Sequence, residues 1–421
     1  MSVRPDHPAD APHAGGAPVG SAAVPGAGGP AAADGGPALR PTLLNPVFWP
    51  EVRRGSERAV RSLADGLVAA GHKPRLVTSY AGRTPRFDAE DGLAITRLPR
   101  VASRYLWRTV ADDHAAHHPL ALPLLSADPG DVLHAFYPTD ATLAVRAAAA
   151  HHALGVIRPA GHDRPARVPV IVSVMGPPDR VWAVAVRGRL EGLVDAARAA
   201  DAVTTLSRFA QDRVWRTFAV RSEIVPPPVD LDAFTVDATT ERHEDPTILF
   251  ASDPASGAKR IGLLLGALRI VRADRPTARL LVNRPTDGPL ARDLAAVDGV
   301  ELVDLDDRSA LTDAYGRAWV TALPSTNEAF GLVVAESMAC GTPGVAFAGE
   351  GPAEIVTADD VGRIAPEPTP GALAAAVLGA LELAADPGTR DRCRAAVAHL
   401  GVPEHTARTL RIYRAALART A

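Results

Sequence analysis

The chain has 421 residues, 47% of them hydrophobic, and a net charge of −3; that is too long for one usual core and apolar enough for two domains of about 180 residues. The charge shows no basic stripe to recommend a nucleic-acid partner, and two cysteines, Cys340 and Cys393, are too few for a disulfide framework or a cysteine metal centre. No apolar run reaches the roughly 18 residues of a membrane span and the opening Met1-Ser2-Val3-Arg4-Pro5-Asp6 has no secretory core, so a cytoplasmic protein without an integral membrane segment is expected.

Residues 1–38 are rich in Ala, Gly and Pro with little to bury, and are expected to form a disordered tail. Leu43-Leu44 then leads into a loop, Asn45 to Arg54, and a helix from Ser56 to Ala70, whose apolar residues Val60, Leu63, Ala64 and Leu67 have helical spacing. Short apolar runs follow between helical stretches: Arg75 to Thr78, Ala94 to Leu98, Val132 to Ala135, Val168 to Val174, Ala202 to Leu206 and Ile224-Val225. Pro226-Pro227-Pro228-Val229 to Phe234 closes this half. A second series begins at Thr247-Ile248-Leu249-Phe250 and continues through Ala278 to Val282, Val300 to Val303, Ala318 to Leu323 and Gly344 to Phe347. The alternation predicts an α/β protein of two doubly wound, Rossmann-like domains, 39–235 and 245–400, with a hinge near 236–245 and ligands at the carboxyl ends of the strands.

The segment Thr326-Asn327-Glu328-Ala329-Phe330-Gly331-Leu332-Val333-Val334-Ala335-Glu336 sets two carboxylates eight positions apart around a helix start. Leu332 to Cys340 has helical composition closed by Gly341-Thr342-Pro343, so the free amides of Gly331 to Val333 form an anion site of the kind that takes a diphosphate. Glu328 before the helix and Glu336 about one turn inside it, roughly 6 Å further along, suit hydroxyl groups on either side of that anion. A ribose and a second sugar flanking a diphosphate describe a nucleotide sugar. The chain has only two lysines. Lys73 follows a helix-to-strand turn, but Lys259 lies in the loop directly after Thr247 to Phe250, where a compact ammonium suits a diphosphate oxygen.

The stretch from Pro324-Ser325 to Pro343 resembles the signature of the retaining glycosyltransferases of family 4, Pro-Ser-x-x-Glu-x-Phe-Gly-Leu-x-x-x-Glu-x-Met-Ala-x-Gly-x-Pro. Gly349-Glu350-Gly351-Pro352-Ala353-Glu354-Ile355-Val356 with Gly362, Arg54-Gly55-Ser56-Glu57 and Ala70-Gly71-His72 resemble further elements of that family, so the likeness covers nearly everything after about residue 40. It implies a GT-B arrangement with the donor on the second domain and the last helix, within 401–421, returning to the first. It implies donor contacts from Gly55, Lys259, Arg260, Glu328, Phe330, Gly331, Leu332, Val333 and Glu336, with Lys259 and Glu328 at the reacting centre. The transferred sugar would lie on Glu328 and the ribose on Glu336; Asp304 to Asp307 fall near the base without specifying it. Transfer of this kind uses no metal and no cofactor beyond the nucleotide sugar.

Two positions depart from the family pattern. Asp253 stands where the family has a diphosphate-binding arginine, leaving Arg53, Arg54 or Arg260 to supply the charge, and Phe136 replaces the second histidine of Asp131-Val132-Leu133-His134-Ala135-Phe136-Tyr137. Met175-Gly176 likewise replaces a His-Gly pair. The acceptor side is expected near His134, Phe136, Tyr137, Met175 and Arg208, with Arg53, Tyr105 and Trp107, and the expected acceptor is a small specialised metabolite. A degenerate nucleotide-sugar binder and a related GT-B epimerase or phosphorylase are the alternatives.

Overall fold

The computed structural model describes residues 35–49, 51, 55–100, 115–156, 167–178, 189–237 and 239–420. The expected tail lies almost wholly outside these residues, as do Arg53, Arg54, Tyr105 and Trp107.

The first sheet holds β1 (Pro41–Leu44), β2 (Arg75–Tyr80), β3 (Arg86–Glu90), β4 (Leu93–Pro99), β5 (Val132–Ala135), β6 (Val170–Val174), β7 (Ala202–Thr205) and β8 (Glu223–Ile224), in the order β3-β4-β2-β1-β5-β6-β7-β8. The second holds β9 (Thr247–Phe250), β10 (Arg279–Asn283), β11 (Val300–Val303), β12 (Val320–Leu323), β13 (Gly344–Phe347) and β14 (Gly362–Ala365), in the order β11-β10-β9-β12-β13-β14. Every pairing is parallel except that of β3 with β4. Helices cover both faces of such sheets. That is why β1, β5, β9 and β13 are buried at every position, with Thr42, His134 and Thr247 the only side chains among them that are not apolar.

Two strands lie outside the expected set. β3 carries Arg86, Asp88 and Glu90, is largely exposed, and hairpins onto β4 through Asp91 (φ 50°) and Gly92 (φ 86°). An Asp-Gly turn of this conformation matches the strand twist, and charge protects a sheet edge from pairing with another chain. Arg97 on β4 holds the hairpin through Asp88 and through Glu90 at 3.0 Å. β14 is short and closes the far edge of the second sheet. There Gly362 is needed, because a Cβ on it would lie 2.4 Å from the Gly344 carbonyl oxygen.

The last helix, Val402–Thr420, packs on the first-domain helix Gly55–Ala69 so closely that a Cβ at Gly66 would come within 2.1 Å of Thr406 Oγ1. Its Tyr413 hydroxyl reaches His134 Nδ1 at 2.7 Å, and its His405 Nδ1 donates to the Pro226 carbonyl at 2.7 Å. The two crossings between domains run side by side, with Val229 N–H donating to Leu400 O at 2.8 Å. Part of the expected hinge is fastened to the helix ends of the second domain: His243 N–H donates to Arg317 O at 2.9 Å and Arg242 to Gly341 O at 3.1 Å. Burial, with Arg390 nearby, lowers the Arg242 guanidinium to about 10. Cys340 and Cys393 are both buried, and burial raises each thiol to about 12, which leaves them inert. Among the described residues no single helix is long and apolar enough to cross a membrane.

The joint between the last helix and the first sheet is sensitive to acid. Burial lowers His134 to about 3 and His405 to about 4, from an ordinary 6.5. The unfolded chain therefore binds more protons than the folded one below pH 6.5, so stability is lost as pH falls from there, by up to about 1.4 kcal/mol per pH unit for each imidazole. Urea unfolding between pH 7 and 5 should show this decline, and a His134→Gln variant a shallower one; a flat wild-type profile would mean that both rings titrate freely in the fold.

Candidate active site

β9 and β12 are parallel neighbours, with Val320 opposite Ile248 and Thr321 opposite Leu249, so the loops at their carboxyl ends emerge side by side. The loop after β9 makes one 3-10 turn, Gly257–Lys259, and passes through Arg260 (φ 49°) into the helix Ile261–Asp274. The loop after β12 enters the helix Leu332–Ala339 through Gly331 (φ 93°). Thr326 N–H donates to Ala258 O at 3.3 Å and ties the loops together, and the Lys259 ammonium is ion-paired with the Glu328 carboxylate. Both side chains are partly open, at 27% and 19% exposure. The two residues expected at the reacting centre thus meet.

A third loop, after β13, fixes Glu328 from behind. Glu350 Oε2 accepts from Glu328 N–H at 2.8 Å, and Gly351 N–H donates to Glu328 O at 3.0 Å. A Cβ on Gly351 would fall 2.2 Å from the Ala329 carbonyl oxygen, and one on Gly331 would fall 2.7 Å from Pro352 Cγ. The glycines of these two motifs are there because the loops cross at backbone distance. Glu350 belongs to a family-like motif but has no role that the sequence suggests; its backbone partner lies 22 residues away, a contact that no local pattern announces.

At the helix start, Val334 N–H reaches the Gly331 carbonyl at 2.9 Å. Those of Gly331, Leu332 and Val333 find no acceptor among the described residues, as the first turn of a helix dictates. Gly55, the first residue of the first-domain helix, sits opposite, where a Cβ would lie 3.3 Å from Leu332 Cδ1. The Phe330 side chain is 5% exposed and belongs to an apolar cluster that also takes in Leu206 and Ala210 of the first domain. With the ring buried, the donor contact expected of Phe330 falls to its backbone.

Glu336 is 3% exposed. Its Oε1 pairs with Arg58 Nη1, from the first-domain helix, at 3.1 Å, and its Oε2 accepts from the Tyr315 hydroxyl at 3.0 Å. Burial raises its carboxyl above the usual range against the pull of Arg58 and Tyr315. The residue expected to face ribose hydroxyls is therefore already partnered across the cleft, and Arg58 was missed because nothing near it in sequence refers to Glu336.

On the first-domain side, His134 is 3% exposed, with Nδ1 on Tyr413 and Nε2 on Ser173 Oγ at 2.7 Å. Both nitrogens are taken, one by the returning helix and one by β6, and the ring lines a small cavity together with Phe136 and Met175. Phe136 is buried at 5% against the same ring, 4.0 Å between centroids, while Tyr137 and Met175 are half-buried. Arg208 is exposed, and its helix, Arg208–Phe218, is capped from the other domain: Glu354 accepts from Arg208 N–H at 3.0 Å and Phe209 N–H at 2.9 Å. Ser207 Oγ donates to Ala329 O at 2.5 Å beside it. A carboxylate at a helix N-terminus is favoured by the helix dipole as well as by the hydrogen bonds. Asp253 is exposed and accepts from Ala255 N–H at 2.9 Å, so it shapes its own turn.

The loops at both domains' carboxyl edges thus face each other over the Lys259 ammonium, the start of the helix Leu332–Ala339 and the partnered carboxylates of Glu328 and Glu336, on a fold of the GT-B kind. Residues 53–233 match the family model described as Glycosyltransferase Family 4 and residues 235–399 the model described as Glycosyl transferases group 1. The chain belongs to the family 4 glycosyltransferases. A D-inositol 3-phosphate glycosyltransferase of Xylanimonas cellulosilytica is 35% identical over 259 residues, 54% of this chain and 60% of that protein. One from Mycolicibacterium vanbaalenii is 36% identical over 149 residues, 33% and 32% of the two chains. The matched part is therefore less than two thirds of either relative. Among solved structures, the fold is similar to a sucrose-phosphate synthase from Thermosynechococcus elongatus (TM-score 0.69, 20% identity, 90% of this chain and all of that one). It is also similar to Anabaena HepE in complex with UDP-glucose (TM-score 0.66, 13% identity, 90% of this chain and all of that one).

Arg58→Ala leaves the Glu336 carboxylate buried without its cation, at a cost of about 3 kcal/mol. A protonated Glu336 needs no cation, and its raised pKa makes that form accessible as pH falls. The loss should then be larger at pH 8 than at pH 5 in urea unfolding; equal losses would show that the pair contributes packing alone.

Proposed function

We propose that this chain moves a sugar from a nucleoside-diphosphate sugar to a small hydroxylated acceptor with retention of anomeric configuration. One observation carries the reading: Lys259 and Glu328 meet beside the open helix start at the carboxyl edge between β9 and β12, the switch point of the second sheet. Family membership supports glycosyl transfer. The relatives named for D-inositol 3-phosphate support a small polar acceptor, and a specialised metabolite is our reading of its class. Anabaena HepE is in complex with UDP-glucose in its solved structure, which supports a nucleotide sugar as donor here.

In this mechanism the acceptor hydroxyl attacks C1 on the face that the diphosphate leaves. The C1–O bond to phosphate breaks, the C1–O bond to the acceptor forms, and the acceptor proton passes to the departing phosphate oxygen. Lys259, with Arg260 and the amides of Gly331 to Val333, neutralises the charge that grows on that oxygen, while Glu328 holds hydroxyls of the transferred sugar. Ribose on Glu336 requires Arg58 to yield its place. No metal is assigned to these steps, and a cytoplasmic location belongs to the same reading.

A nucleotide-sugar binder without transfer is the second reading, favoured by Asp253 at the family's arginine position and by the occupied Glu336. Incubation with UDP-, GDP- and ADP-sugars and candidate acceptors, with nucleoside diphosphate release as the readout, separates the two. Lys259→Ala should lower turnover on the order of a hundredfold. Near-normal turnover would remove Lys259 from the transition state, and binding without release in every mixture would favour the second reading.

A further inference from the structure

Away from the donor loops, His117 and His118 stand at the entry of the helix His118–Ala127, and Asp140 lies in the first turn of the helix Pro138–Val156. His117 is 1% and Asp140 0% exposed, while the His118 side chain is 19% exposed. One donor atom from each comes within 4.8 Å of the others. His118 Nε2 is 3.1 Å and His117 Nε2 3.4 Å from the same carboxylate oxygen, Asp140 Oδ1.

A hydrogen bond between His118 and Asp140 accounts for only part of this cluster. His117 Nδ1 has no hydrogen-bond partner among the described residues, and neither does Asp140 Oδ2 or the buried hydroxyl of the adjacent Thr139, while His117 Nε2 has only its long contact with Asp140 Oδ1. Buried polar groups are nearly always satisfied, and an orphaned set in one place calls for a water or an ion to complete it. Two imidazoles and a carboxylate form a donor set suited to zinc, whose bonds of about 2.0–2.2 Å in a tetrahedron put neighbouring donors roughly 3.3–3.5 Å apart. The observed separations of 3.1 and 3.4 Å lie close to that edge.

We propose that His117, His118 and Asp140 hold a structural zinc-class divalent ion, with water or a hydroxyl in the fourth position, that fastens the two helix starts to each other. The ion stands apart from sugar transfer. It braces the first-domain edge: Asp140 follows Phe136 and Tyr137 by four and three residues, so the bond would steady the turn that carries them. The Pro119 that follows the two histidines and the Pro138 that opens the second helix are both ordinary at a helix N-terminus, and they hold the three ligands on short, stiff segments.

The test uses tag-free, full-length protein stripped with a chelator, reconstituted with Zn²⁺ and desalted. Wild type should retain one equivalent by elemental analysis, gain several degrees in melting temperature, and show tetrahedral ligand-field bands with Co²⁺. His118→Ala, which removes the partly exposed ligand, and Asp140→Asn, which keeps the shape, should each bind on the order of 100-fold more weakly or worse, since even outer-shell changes cost about 10–100-fold. Retention equal in wild type and both variants would assign the zinc to other histidines and overturn the site. So would stripped wild type that regains neither metal nor melting temperature.

Discussion

The adjacency of β9 and β12 is the constraint from which the second-domain site follows. In a doubly wound sheet the chain leaves its first strand toward one side and later returns to the other, so the loops after those two neighbours diverge and leave a crevice between them. Here that geometry brings an ammonium from one loop against a carboxylate from the other, although 69 residues separate Lys259 from Glu328. The first sheet repeats the pattern, with β1 flanked by β2 and β5. The loop after β5 carries Phe136 and Tyr137, and the helix that opens after β1 brings Gly55 against Leu332.

The polar contacts that join the domains reuse helix ends, beside an apolar cluster that takes in Leu206 and Ala210 from the first domain and Ala329, Phe330 and Ile355 from the second. Glu354 caps a first-domain helix, Ser207 reaches a second-domain carbonyl, and Arg58 enters the second domain to meet Glu336. Such contacts are directional and cost little to exchange for water when exposed, whereas the Arg58–Glu336 pair is largely removed from water and costly to break. The cleft is therefore held most firmly beside the position expected for the ribose. In the proposed reading, the ribose replaces Arg58 with hydroxyls that donate to the same carboxylate.

What could be read from the sequence follows from locality. β9 was legible because both of its faces are covered and its four residues are all buried, three of them apolar, and the helix start at Leu332 was legible because helical composition from there to Cys340 ends at Gly341-Thr342-Pro343. β3 was not, since an exposed, charged edge strand alternates without an apolar face; only Asp91-Gly92 betrayed it. His134 was expected on the acceptor side because the family pattern places a histidine there. Its actual partner, Tyr413, is 279 residues away on the returning helix. The same limit hid Arg58 behind Glu336, and hid Asp140 from His117 and His118, which sit on different helices.

Asp253 shows how a reversed charge can be tolerated beside the proposed anion site. Its carboxylate caps the Ala255 amide within its own turn and is exposed to water, where screening weakens its reach. Lys259, in contrast, is partly buried and already balanced by Glu328. A diphosphate arriving at the helix start would meet an ammonium that has a partner, so binding exchanges one anion for another instead of neutralising a bare charge. Under the proposed function the net gain at Lys259 is smaller for that reason, and the same exchange would set the Glu328 oxygens free to accept from a sugar hydroxyl.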